Sequence, residues 1–102
     1  MEGLQMVPVD SVISCASEGN CTVFFLKDQK KIIVSRILKE IEEMLEDDSF
    51  VRVHNSYIIN LNEIEKYIRG EDGYLIMSDR SHVDVSRSRK ENLMKRLQPG
   101  QV

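Results

Sequence analysis

Three short stretches of this chain hold the side chains best suited to meeting something outside the protein. In "FVRVHNSYIINLNEI", Phe50 to Ile64, two apolar runs are interrupted by Arg52, His54, Asn55 and Ser56. In "EGN", Glu18 to Asn20, a polar break separates two further apolar runs. In "VSRSRK", Val85 to Lys90, Arg87, Arg89 and Lys90 lie close together. The chemistry these types support is recognition by hydrogen bonding. A guanidinium fork can read guanine and an Asn amide can read adenine. Further Lys and Arg on the same surface would supply phosphate contacts that set register. The plain alternative is that Asn and Arg in loops simply meet water.

Catalytic chemistry finds little support. His54 has no Ser and Asp in an arrangement specific to a triad, and His54 and His82 with Asp72 or Asp84 lack diagnostic metal-ligand spacing. "GEDG" reads as a turn, because a phosphate loop would need a Lys-Ser/Thr pair and a following helix. The expectation is no enzyme, no metal and no cofactor. Cys15 and Cys21 read as buried thiols in a reducing compartment, consistent with the cytoplasm, with a disulfide or redox role as the lesser alternative.

These residues need elements to position them. "SVISCAS" and "CTVFFL" read as strands around a hairpin turn at "EGN", where Gly19 makes a left-handed backbone cheap. "KIIV" follows the polar turn "KDQK", and "MVPV" reads as extended, with Pro8 confined to an edge or a strand start. "SRILKEIEEMLEDD" places Ile37, Leu38, Ile41, Met44 and Leu45 at spacings of three and four, an amphipathic helix with Ser35 as its N-cap. Glu42, Glu43 and Glu46 face away from that stripe, so the helix should turn its acids to solvent and stay clear of any polyanion. "FVRVH", "YIIN", "EIEKYI", "YLIMS" and "HVDVS" alternate as strands, with Gly70 and Gly73 available for positive φ in "RGEDG". Ser88 and Glu91 form a capping-box signature for a last helix whose apolar side is Leu93, Met94 and Leu97, ended by Pro99 and Gly100. Tyr57, Ile58, Ile59, Leu61 and Ile64 belong in the core. Asn60 is the better candidate for an Asx-type cap.

At 102 residues, with 41% apolar and 30% charged content, the chain fits one globular domain. No run approaches the roughly 18 apolar residues of a membrane span, and the first ten residues do not resemble a secretory signal. The net charge of -3 hides an uneven distribution. Glu40 to Asp48 holds six acids and no base, which leaves 14 basic against 11 acidic residues elsewhere. One face can therefore be mildly basic on an acidic protein. The apolar residues are used up by one core, so the isolated chain should be monomeric. No helix-turn-helix is legible.

"FVRVHNSYIINLNEIEKY", followed by "GYLIMSDRSHVDVSRSRKENLMKRL", resembles the LytTR family of DNA-binding domains. "VISCASEGNCTVFF" and "ILKEIEEML" are similar to the family's turn-to-strand segment and to its single well-marked helix. The resemblance covers about Val7 to Leu97 of a single domain, residues 1–102. It implies a mainly β, elongated antiparallel fold with one mid-chain helix and a short C-terminal helix. It implies sequence-specific binding of double-stranded DNA by loops inserted in successive major grooves, with bending of the DNA and regulation of transcription. On this chain the family's base-reading positions match Asn20, Asn55 and Arg87, while Arg52, His54, Ser56, Arg89 and Lys90 match backbone contacts or support. Such domains form the output half of bacterial two-component response regulators, so an upstream receiver domain and paired adjacent DNA sites are implied as partners. Three departures stand out. Cys21 replaces a common Tyr, the lead-in is short, and no receiver is present.

Two residues carry open alternatives. His54 is either a structural imidazole bonded to backbone or a DNA contact, and Asn55 is either a DNA contact or a turn cap. A competing function also stands: a protein-interaction module that uses the acidic helix or an exposed β edge without DNA.

Overall fold

A five-stranded antiparallel sheet runs through the middle of the protein, and different parts of the chain cover its two faces. The structure is a computed structural model that describes residues 8–71 and 73–97. Strands β1 (Val12–Glu18), β2 (Cys21–Leu26), β3 (Lys30–Val34), β4 (Phe50–His54) and β5 (Tyr57–Asn60) lie in the order β3-β2-β1-β5-β4. A second antiparallel sheet, β6-β7-β8, comprises Ile64–Ile68, Tyr74–Met77 and His82–Asp84. Helix α1 (Leu38–Met44) lies between β3 and β4 in the chain, and α2 (Arg87–Leu97) is the last described element. The molecule extends 46 Å by 25 Å by 23 Å, the elongated, mainly β architecture that the sequence implies.

Alternation along the strands, interrupted in β1 by a bulge between Val12 and Ser14 that puts Ile13 and Cys15 on different faces, divides the core in two. Ile13, Val51, Val53 and Ile59 pack with Leu75, Met77, Val83, Val85 and Leu93, joining the second sheet and α2 to one face. Val12, Cys15, Phe50 and Ile58 pack with Leu26, Leu38 and Ile41, joining α1 to the other. Tyr57, Leu61 and Ile64 are partly buried against the first cluster. Full burial of each Ile or Leu stabilises the fold by about 1.5–3 kcal/mol.

Several local expectations need correction. Helix α1 covers only seven residues and starts after Ile37, so Ser35 is not its N-cap. The Thr22 hydroxyl donates to the Arg36 carbonyl at 2.7 Å and pins that segment to β2, outside the helix. Glu40 accepts from the Ile37 N–H and supplies the only side-chain cap. The apolar stripe is correspondingly narrow. Leu38 and Ile41 are buried, whereas Ile37 and Met44 are 44% and 61% exposed. Glu42 is exposed as expected, and it also meets Arg52 of β4 at 2.7 Å. Beyond the helix Asp47 accepts from the Ser49 N–H, which draws its carboxyl below the ordinary carboxylate range.

Helix α2 begins at Arg87, one residue before the expected cap Ser88, and Ser86 precedes it. Val9–Ser11 is a 3-10 turn, not an extended stretch, while Met6 and Val7, like Pro99 and Gly100, lie outside the described residues. Of the two glycines in "RGEDG", Gly73 takes the left-handed backbone with φ 75°. A Cβ there would lie 2.5 Å from the Tyr67 hydroxyl. Asn60 caps as expected: its Oδ1 accepts from the Asn62 N–H, and its Nδ2 donates to the Val12 carbonyl inside the sheet.

Candidate nucleic-acid interface

Glu18 pairs with Cys21 at the end of the β1–β2 hairpin, which leaves a two-residue turn of Gly19 and Asn20. Gly19 has φ 61°, the positive value at the first turn position that matches the twist of the flanking strands. The turn therefore needs no side chain to hold it, and Asn20 is left exposed. Cys21 stands at its base, half-buried.

The β4–β5 hairpin is closed differently. His54 pairs with Tyr57 across Asn55 and Ser56, and the register slips between Arg52 and His54. Neither turn residue has a positive φ, so the turn does not match the twist of its strands unaided. Side chains hold it instead. The Ser56 N–H donates to His54 Nδ1 at 3.0 Å. Arg52 Nε donates to the His54 carbonyl at 3.0 Å, and its Nη2 donates to the Asn55 carbonyl at 2.7 Å. Arg52 Nη1 meets Glu42 Oε1. The His54 ring also lies 5.2 Å from that of Tyr57. Asn55 itself is exposed, and among the described residues nothing bonds its side-chain amide.

A third segment joins these two. Edge strand β4 is covered by the approach to α2, where the Ser86 N–H donates to the Val53 carbonyl at 2.8 Å. Arg87, the next residue, is exposed on the first turn of the helix, with Arg89 and Lys90 half-buried beyond it. Among the described residues none of the three cations has a carboxylate partner. The far end of α2 is tied down as Arg96 donates to the Asp48 carbonyl.

Pairing of β1 with β5, with Ala16 opposite Tyr57, brings the two hairpin turns to the same end of the sheet. The Ser17 N–H reaches the Ser56 carbonyl at 2.9 Å and extends that contact toward the tips. Asn20, Asn55 and Arg87 thus share one end of the molecule, with Ser56 between them. Arg52 and His54 lie behind Asn55; Arg52 spends its donors on His54, Asn55 and Glu42, and His54 accepts from Ser56 through Nδ1. The model for the LytTr DNA-binding domain family matches residues 2–98. The chain belongs to the LytTR family of DNA-binding domains. A LytTR domain is a DNA-binding module, and the exposed end described above is the candidate interface of this one.

Among solved structures, the chain is similar to the LytTr DNA-binding domain of a protein described as a methyl-accepting/DNA response regulator from Bacillus cereus. That likeness has a TM-score of 0.81 and 28% identity, and covers 90% of this chain and 85% of the other. No match is found among curated proteins. Among the described residues of this LytTR domain, no helix is long and apolar enough to cross a membrane.

Sequence reasoning missed Glu42, Ser17 and the Val53 carbonyl as supports of the candidate interface. Glu42 stands ten residues from Arg52 within an acid-rich run, and nothing local distinguishes it from Glu43. The other two act through backbone atoms, which residue type does not report.

Proposed function

We propose that this domain binds double-stranded DNA sequence-specifically and regulates transcription, with Asn20, Asn55 and Arg87 reading bases in the major groove. The observation that carries this reading is the convergence of three exposed hydrogen-bonding tips on one end of the sheet, each on a segment fixed from behind. Arg87 suits guanine through its two parallel donors, and Asn20 and Asn55 suit adenine. Arg89 and Lys90, one turn along α2, are assigned to phosphates, where they set register without carrying sequence information. Ser56 supports Asn55 and lies close enough to the tips to meet the backbone.

DNA bending belongs to the same reading and rests on the family resemblance. The remaining assignments rest on the family. The domain acts as the non-enzymatic output half of a cytoplasmic bacterial response regulator. It is monomeric alone and pairs on adjacent sites with help from a receiver domain.

Selection of bound duplexes from a random pool, followed by a salt titration on the winner, tests the reading. The expected outcome is a defined sequence motif and a log K that falls steeply with log salt. Recovery of no motif would refute it.

A further inference from the structure

We infer that Glu42 is a positioning residue for the Asn55 turn, so that helix α1, remote in sequence from every reading residue, sets how sharply Asn55 discriminates. The inference rests on the reading of Asn55 proposed above. The β4–β5 turn lacks the positive φ that would close it, and Arg52 supplies the missing constraint by holding two successive carbonyls, those of His54 and Asn55. A guanidinium bound only to carbonyls would keep its full charge beside a surface that meets phosphates. Glu42 Oε1, 2.7 Å from Nη1, takes up the third direction of the fork and neutralises it. The Arg52 side chain is 14% exposed and that of Glu42 45%, so the pair is sheltered on the Arg52 side and open on the other.

The arrangement gives a signature that a merely structural carboxylate would not. Without Glu42, Arg52 keeps only its two carbonyl bonds and can exchange them for a DNA phosphate. Selectivity at the base read by Asn55 should then fall, while affinity for unrelated duplexes rises. Glu42→Ala should lower discrimination at that one base by about 2- to 5-fold, in keeping with a solvent-screened ion pair. It should steepen the salt dependence of non-specific binding by up to about one unit. Glu42→Gln keeps an acceptor and loses the charge, so it should lie between the parent and Glu42→Ala.

The test is a double-mutant cycle on the selected duplex and its single-base variants, joined to amide exchange of the DNA-free protein. In an Asn55→Ala background Glu42→Ala should change selectivity no further. In an Arg87→Ala background its full effect should persist. The Ser56 amide should exchange faster in DNA-free Glu42→Ala than in the parent, with the core amides unchanged. Equal effects in both backgrounds, or unchanged selectivity with or without faster Ser56 exchange, would overturn the inference and leave the proposed function standing. A parent that prefers no duplex would refute the proposed function, and this inference with it. The exchange measurement would still report whether Glu42 holds the turn.

Discussion

Arg52 and Asn55 are separated by only two residues, yet their surroundings direct them oppositely. Arg52 donates to two backbone carbonyls and a carboxylate, and Asn55 projects its amide to solvent. Residue type alone marks both as candidates for DNA, and only the hydrogen-bond pattern separates them. His54 illustrates the same limit: its Nδ1 accepts from the Ser56 N–H, a local bond that no sequence spacing reports. Arg89 and Lys90, assigned to phosphates, should behave unlike the reading residues. Arg89→Ala or Lys90→Ala should weaken all duplexes nearly alike and lower the salt slope by up to about one unit, as measured by titration on specific and random duplexes. The two cysteines should also separate. Burial pushes the Cys15 thiol up to about 12, whereas Cys21 is half-buried beside the first turn. A thiol reagent at pH 8 should therefore label Cys21 promptly and Cys15 only on unfolding. Because the Cys15 pKa is raised above its unfolded value, its contribution to stability is complete below pH 9.0 and declines as pH rises toward about 12. A denaturant titration series across that range reads the decline, and Cys15→Ala should remove this component.

At the scale of elements, the sequence was most legible where a local rule and the tertiary structure agree. Gly19 before Asn20 marks a hairpin whose backbone closes itself, and the alternation in β4 and β5 separates Ile58 from Ile59 on opposite faces. Where tertiary contacts prevail, boundaries moved. Thr22 holds Arg36 by its carbonyl and delays α1, and the bond from Ser86 to Val53 fixes where α2 begins. Neither partner is near in sequence, so helix propensity and capping signatures pointed to Ser35 and Ser88 instead. Two substitutions measure these supports. Ile59→Ala empties a fully buried site and should cost about 2–5 kcal/mol in chemical denaturation. Asn60→Ala leaves the Val12 carbonyl without its buried donor and should cost about 1–3 kcal/mol, although its side chain touches no proposed reading residue.

For the molecule as a whole, the acids and the interface are partitioned more finely than net charge suggests. Glu42 is drawn into the support of Asn55, while Glu43 and Glu46 remain exposed. The proposed function includes bending of the DNA. A bound duplex labelled at both ends should therefore show increased energy transfer, and an unchanged signal would contradict the bend. The central claim is that exposed loop and helix-start side chains read the bases. Its most direct test is the affinity of the parent, Asn55→Ala and Arg87→Ala for the selected duplex and for each single-base variant, at two salt concentrations, with melting followed in parallel. A bidentate base contact is worth about 1–3 kcal/mol of discrimination. Each variant should therefore melt like the parent, bind the preferred duplex roughly 5- to 150-fold more weakly, and lose preference at one position, different for the two. Folded variants that retain the full preference of the parent at every position would contradict it.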